Sequence, residues 1–173
     1  HRNGRLNDAI RTYEDLVSRA PGDRSAQATL DRWRREAELH DRMQQAVGER
    51  FTVSFEGPPE ADAAGFALEA LDRAFWRIGE ALGLYPAQAI RVVLYTSEQF
   101  SDITRSPAWA AGAYDGIIRV PMRGALKDTR ELDRVLAHEF THALLHDVSR
   151  RALPTWFNEG LAVYYERALP LRF

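Results

Sequence analysis

The stretch Val135-Leu-Ala-His-Glu-Phe-Thr-His-Ala-Leu-Leu145 constrains this chain more than any other. It contains His138, Glu139 and His142 in the order His-Glu-x-x-His. Two histidines at i and i+4 share one face of a helix, one turn apart. At that spacing two imidazole nitrogens can reach one tetrahedral metal ion at about 2.0–2.1 Å each. Glu139 follows the first histidine directly, where its carboxylate can reach a water on the same ion. Leu132, Val135, Leu136, Phe140, Ala143 and Leu144 can face the core from the same helix, so the histidines sit in a partly dry wall.

Composition narrows the chemistry. The chain has no cysteine, which excludes a disulfide framework and any thiolate metal site, so a metal must use histidine and carboxylate. A net charge of −2 gives no footprint of a nucleic-acid binder. No stretch approaches the roughly 18 apolar residues of a spanning helix. At 173 residues, 45% hydrophobic, the chain allows one domain with a small appendage. No basic-then-apolar signal peptide opens it. The first residues read like the interior of a helical repeat, so a fragment of a longer protein is expected and the compartment stays open.

Apolar periodicity predicts a helix over 4–20, where Leu6, Ala9, Ile10, Tyr13, Leu16 and Val17 recur at 3–4 spacing before Pro21-Gly22-Asp23. A second, charged helix is predicted from Arg24 to about Val47. Phe51–Glu56 alternates as a strand, and Ala61–Gly83 reads as a helix. Ala89–Tyr95 is a β-rich apolar run, followed by a short helix from Ser97 to about Ile103. Tyr114-Asp115-Gly116 carries a hairpin-turn signal before a short strand, Ile117–Val120. The central helix is predicted from about Thr129 to His146, and a last one from Thr155 to about Leu169, opened by Pro154. This order suits an α+β domain whose small mixed sheet packs on its helices. The boundary is placed near Gly48–Arg50, dividing a helical appendage (1–49) from the main domain (50–173).

A bare His-Glu-x-x-His also arises as one surface and one core histidine. A second motif changes the balance. Glu159 follows His142 by 17 residues, within Pro154-Thr-Trp-Phe-Asn-Glu-Gly-Leu-Ala-Val-Tyr-Tyr-Glu166. It lies one turn into a helix among apolar residues, where an unpaired carboxylate would be costly to bury. A metal ion would resolve that cost. His138, His142 and Glu159 form a His₂Glu set with an open fourth position, as a catalytic zinc needs. Gly160 would let the two helices approach closely.

His138-Glu-Phe-Thr-His142 together with Trp156-Phe-Asn-Glu-Gly-Leu-Ala162 resembles the gluzincin branch of the zincin metallopeptidases. The likeness is to the peptidase MA-like group found beside tetratricopeptide repeats in bacterial proteins, and it covers roughly residues 50–169. Ala9, Tyr13, Leu16 and Pro21 also fall at the spacing of the second helix of such a repeat. The resemblance implies a zincin-like domain behind an N-terminal α-helical hairpin. It implies one Zn²⁺ per chain on His138, His142 and Glu159. Glu139 is then the general base that activates a zinc-bound water to hydrolyse a peptide bond. A peptide or protein is the implied substrate. Ile117–Val120 resembles the strand that edges the cleft in zincins, although an ordinary edge strand fits equally well. The alternative is a non-catalytic zinc-binding module whose repeat helices recruit a protein partner.

Other polar residues carry weaker signals. His146 continues the i, i+4, i+8 series, but lies about 12 Å along the axis from His138, too far to share an ion. It is read as a histidine at the surface or behind the ligands, and Asp147 as surface. Glu166 is on the face of Glu159 but two turns away, and is assigned to the surface. Some gluzincins carry an acid four residues after the glutamate ligand, where it orients a histidine. Here that position is Val163, so a backbone carbonyl, Asn158 or Asp133 must hold the imidazoles. No donor for the tetrahedral intermediate is identified. Tyr164 and Tyr165 read as core or rim, Tyr114 is conceivable, and a C-terminal segment beyond this chain is another source.

Overall fold

The computed structural model describes residues 2–57, 61–104, 112–114, 116–122, 129–148 and 153–167. They divide into two compact units, His1–Met43 and Gln44–Phe173.

The first unit holds α1 (Arg2–Arg19) and α2 (Arg24–Arg42). The short connection folds α2 back against α1. The Asp23 carboxylate caps α2 by accepting from the backbone N–H groups of Ser25 and Ala26, each at 3.0 Å, which satisfies two of its orphan donors. Tyr13 packs edge-to-face on Trp33 with centroids 4.6 Å apart. The exposed Arg34–Glu14 pair, at 2.7 Å, adds at most about 1 kcal/mol.

The helix expected to run to Val47 stops at Arg42, and Met43 takes an extended conformation. Gln44–Val47 forms β1 instead, antiparallel to β2 (Phe51–Phe55), from Gln44↔Phe55 to Val47↔Thr52. Only Ala46 of β1 is even partly buried, so the strand shows no alternation and its sequence reads as more of the charged helix.

The second unit continues with α3 (Ala61–Leu82), β3 (Ile90–Tyr95), α4 (Ser97–Thr104), β4 (Ala113–Tyr114), β5 (Ile118–Pro121), α5 (Thr129–Val148) and α6 (Thr155–Arg167). It is a mixed α+β fold. Its five-stranded sheet has the order β1-β2-β3-β5-β4, parallel from β2 through β3 to β5 and antiparallel at both edges. Phe51, Val53 and Phe55 of β2, Val92 and Leu94 of β3, and Ile118 and Val120 of β5 follow the i, i+2 rule onto one face. They form one core with Ala64, Ala67, Leu71, Phe75 and Ile78 of α3 and Leu132, Leu136, Phe140, Ala143 and Leu144 of α5. Burying each large member contributes roughly 1.5–3 kcal/mol, so α5 is fixed rigidly under the sheet.

The expected hairpin forms between β4 and β5, with Ala113↔Arg119 and Tyr114↔Ile118 paired and Gly116 at φ +98°. Asp115 lies outside the described residues. One expectation is corrected. The strand read as Ile117–Val120 is an inner strand, buried along its length between β3 and β4. Among the described residues the strand at that edge of the sheet is β4, too short to announce itself by alternation. Among the described residues no helix is long and apolar enough to cross a membrane.

Candidate metal centre

The core face of α5 places its two histidines side by side at the margin of the packed interior. The His138 and His142 rings meet at 76° with centroids 4.8 Å apart, and their Nε2 atoms are separated by 3.1 Å. Helix α6 brings Glu159 against both. Its Oε2 lies 3.7 Å from His138 Nε2, and its Oε1 lies 3.6 Å from His142 Nε2. Ligands at 2.0–2.2 Å in a tetrahedron sit about 3.3–3.6 Å from one another, and the three separations bracket that edge length. Two imidazole nitrogens and one carboxylate are also a donor set that suits zinc. Among the described residues, these three form the group able to hold a metal ion.

Glu159 is not buried as expected: its side chain is 52% exposed. The desolvation cost inferred from its apolar neighbours does not arise, because α6 lies at the surface and packs on one side only. Its place in the group rests on its approach to both rings. Gly160 needs correction as well. A methyl on its Cα would meet nothing within 4 Å, so the glycine does not serve helix approach.

The residue most misjudged in sequence is Glu166. Its carboxylate Oε2 accepts a hydrogen bond from His138 Nδ1 at 2.8 Å, and its Oε1 accepts one from Arg134 Nη2 at 2.9 Å. Arg134 also donates through Nη1 to Glu131 at 2.8 Å. Glu159 and Glu166 are two turns apart, and in sequence that distance sets Glu166 outside the site. One imidazole, however, has nitrogens on opposite edges. The two helices run in opposite senses, so Arg134 and His138 of α5 meet Glu166, while His138 and His142 meet Glu159. His138 is thus held between both carboxylates. No spacing within α5 or α6 carries this contact, because it depends on how the two helices face each other.

This arrangement sets the tautomer of His138. An ionised carboxylate only accepts, so Nδ1 carries a proton, and Nε2 is the nitrogen that faces Glu159. Burial alone would raise the Glu166 carboxyl. The hydrogen bonds from Arg134 and His138, with their charges, outweigh it and hold the group below its ordinary value. The His142 imidazole is lowered, first by burial and then by the His138 charge, against opposing contributions from Asn158 and Glu159. Asn158 therefore touches the second histidine, as one of the alternatives had it. Yet His142 Nδ1 is buried without a hydrogen-bond partner of good geometry among the described residues. Asp133 does not hold an imidazole, since it pairs with Arg73 at 3.1 Å.

Glu139 is 5% exposed. Burial, and secondarily the Glu159 charge, push its carboxyl up to about 8. It lies near enough to Glu159 to feel that repulsion, and with no cation beside it the carboxyl keeps its proton at neutral pH; a metal charge at the His138–His142–Glu159 group would favour the anion, the form able to accept a proton. The remaining expectations divide. His146 is outside the ligand group, and its ring packs edge-to-face on Tyr114 at 5.6 Å. Tyr165 packs against the core, and its carbonyl accepts from Arg77 at 3.0 Å, while Tyr164 is exposed. The Asp147 side chain lies outside the described residues.

No protein-family model matches the chain, and a search of curated proteins finds no match.

Proposed function

We propose that residues 44–173 form a zincin-like domain of gluzincin type that hydrolyses peptide bonds with one zinc ion. The observation that carries this reading is the convergence of His138 Nε2, His142 Nε2 and the Glu159 carboxylate beside a buried Glu139. His138, His142 and Glu159 would hold the metal. When bound, it supplies a Lewis acid for the scissile carbonyl and lowers the pKa of a coordinated water toward neutrality. Glu139 accepts the proton of the attacking water and delivers it to the leaving amine. Glu166, anchored by Arg134, holds the proton of His138 on Nδ1 and would orient the ring when it holds the metal. The edge of β4 offers backbone groups with which an extended peptide can pair. Helices α1 and α2 are a surface for a protein partner.

The test is metal analysis of the purified chain followed by cleavage of a mixed peptide library. The expected result is one zinc per wild-type chain, its loss in His142→Ala, and cleavage that disappears in Glu139→Gln while zinc is retained. Zinc bound without cleavage by the wild type would favour a binding module. No stoichiometric zinc in the wild type would end the metal reading altogether.

A further inference from the structure

The strand at the rim of the site begins just after Gly112, and this glycine faces the buried carboxylate. A methyl built on its Cα would lie 2.6 Å from Glu139 Oε1, 2.8 Å from Cγ and 2.9 Å from Cδ. All three contacts are with one side chain, and all are shorter than packed carbon atoms tolerate. Backbone conformation does not explain the glycine. Gly83 and Gly116 are the described glycines with positive φ, and Gly112 is not among them. Any L-residue could adopt its backbone, so what demands a glycine at 112 is the space that Glu139 fills.

The main chain is paired just beyond this point. Residues 113 and 114 pair with Arg119 and Ile118 of the inner strand β5, which fixes the strand laterally. Tyr114 rests on His146 of α5, two turns beyond Glu139, which fixes it lengthwise. Glu139, in turn, stands on a helix that is locked into the core through Phe140, Ala143 and Leu144. The bare Cα of Gly112 therefore lies directly against the Glu139 side chain, between a paired strand and a core-packed helix.

We propose that Gly112 is a positioning residue for Glu139: its missing side chain is the seat that fixes the carboxylate's rotamer beside the His138–His142–Glu159 group. The proposal rests on the peptidase reading for its catalytic consequence, but the seat itself does not depend on it. A Cβ at 112 must displace the carboxylate by several tenths of an ångström or lift β4 from α5. Displacement leaves the ligands untouched and moves only the group that handles the proton. A misplacement of that order costs about 10–100-fold in rate.

Two measurements on the full chain decide this. The first is a stability cycle of wild type, Gly112→Ala, Glu139→Ala and the double variant. Glu139→Ala deletes the three atoms that the new methyl meets. Gly112→Ala should lower the melting temperature by about 5 °C when Glu139 is present, and by under about 1 °C when it is absent. If Gly112→Ala alone fails to fold, a double variant that folds establishes the seat equally well. An equal loss in both backgrounds would overturn it. The second is kinetics of the zinc-loaded wild type and Gly112→Ala, with zinc affinity measured by chelator competition. Affinity and KM should stay within about twofold while kcat falls about 10–100-fold. An unchanged kcat would overturn the positioning role. So would a loss confined to KM, which would mean that the glycine makes room for substrate. A wild type that cleaves nothing ends the peptidase reading, and the stability cycle then decides the seat alone.

Discussion

A carboxylic acid buried to the extent of Glu139 writes its environment into the stability of the protein. Its folded value of about 8 lies far above the ordinary carboxyl, because burial and the Glu159 charge both disfavour the anion. Between those two values the native state holds a proton that the unfolded chain has released, so stability falls as pH rises. The lowered His142 imidazole acts in the opposite sense, but only below about 6.5, where the unfolded chain takes up the proton first. Glu166, held below its ordinary value, contributes stability that is lost only in the acid range. From pH 6.5 to 8 the Glu139 contribution therefore stands by itself among these groups. The metal-free protein should lose on the order of 2 kcal/mol across that window, and Glu139→Gln should remove most of the slope. Denaturant melts in the presence of a chelator at four or five pH values measure it. A wild-type stability that is flat or rises from pH 6.5 to 8 would refute the assignment of a buried, neutral Glu139.

At the scale of elements, the centre is a seam between two antiparallel helices, and its energetics belong to the pair. Along the seam Arg134, Glu166, His138, Glu159 and His142 alternate in charge and donor character. Replacing Glu166 with Gln keeps the shape but removes the anion that holds the Nδ1 proton. Zinc affinity should fall about 10–100-fold, with the fold intact by circular dichroism. Arg134→Met should weaken it less, since the direct His138 contact survives. A Glu166→Gln variant that binds zinc as tightly as wild type would remove Glu166 from the seam. How much of this can be read in sequence follows from what each element does. Helices α3 and α5 and strand β3 bury long apolar stripes, so their periodicity is plain, and the three candidate ligands stand on motifs of fixed spacing. Strands β1 and β4 are edges: one is mostly exposed, the other has two residues, and neither carries a pattern of its own. They exist because an inner strand offers them hydrogen bonds. Glu166 escapes a sequence reading for a related reason, since distance along one helix says nothing about where the facing helix places its rings.

At the scale of the whole molecule, the question is what keeps α6 in place. The sheet, α3 and α5 share one continuous core, whereas α6 has Ala162 as its fully buried residue and exposes Trp156 and Tyr164. Beyond Ala162 and the Tyr165 ring on the core, its ties to the rest are polar: the Tyr165 carbonyl to Arg77, Glu166 to Arg134 and His138, and Glu159 beside His138 and His142. An ion held by one ligand from α6 and two from α5 would turn a loosely docked helix into part of the rigid body. Ligand linkage sets the size of the effect. At free zinc about 1,000 times Kd, openings that break the site become about 10³-fold rarer. Hydrogen exchange should therefore show α6 protected in the zinc form and much faster after chelation, while β2 and β3 amides hardly change. This pattern separates a local role from a global one, because a metal needed for the whole fold would expose the sheet too. Equal α6 protection with and without zinc would mean that the helix is held by its protein contacts alone, and that the His₂Glu group does not bridge the seam.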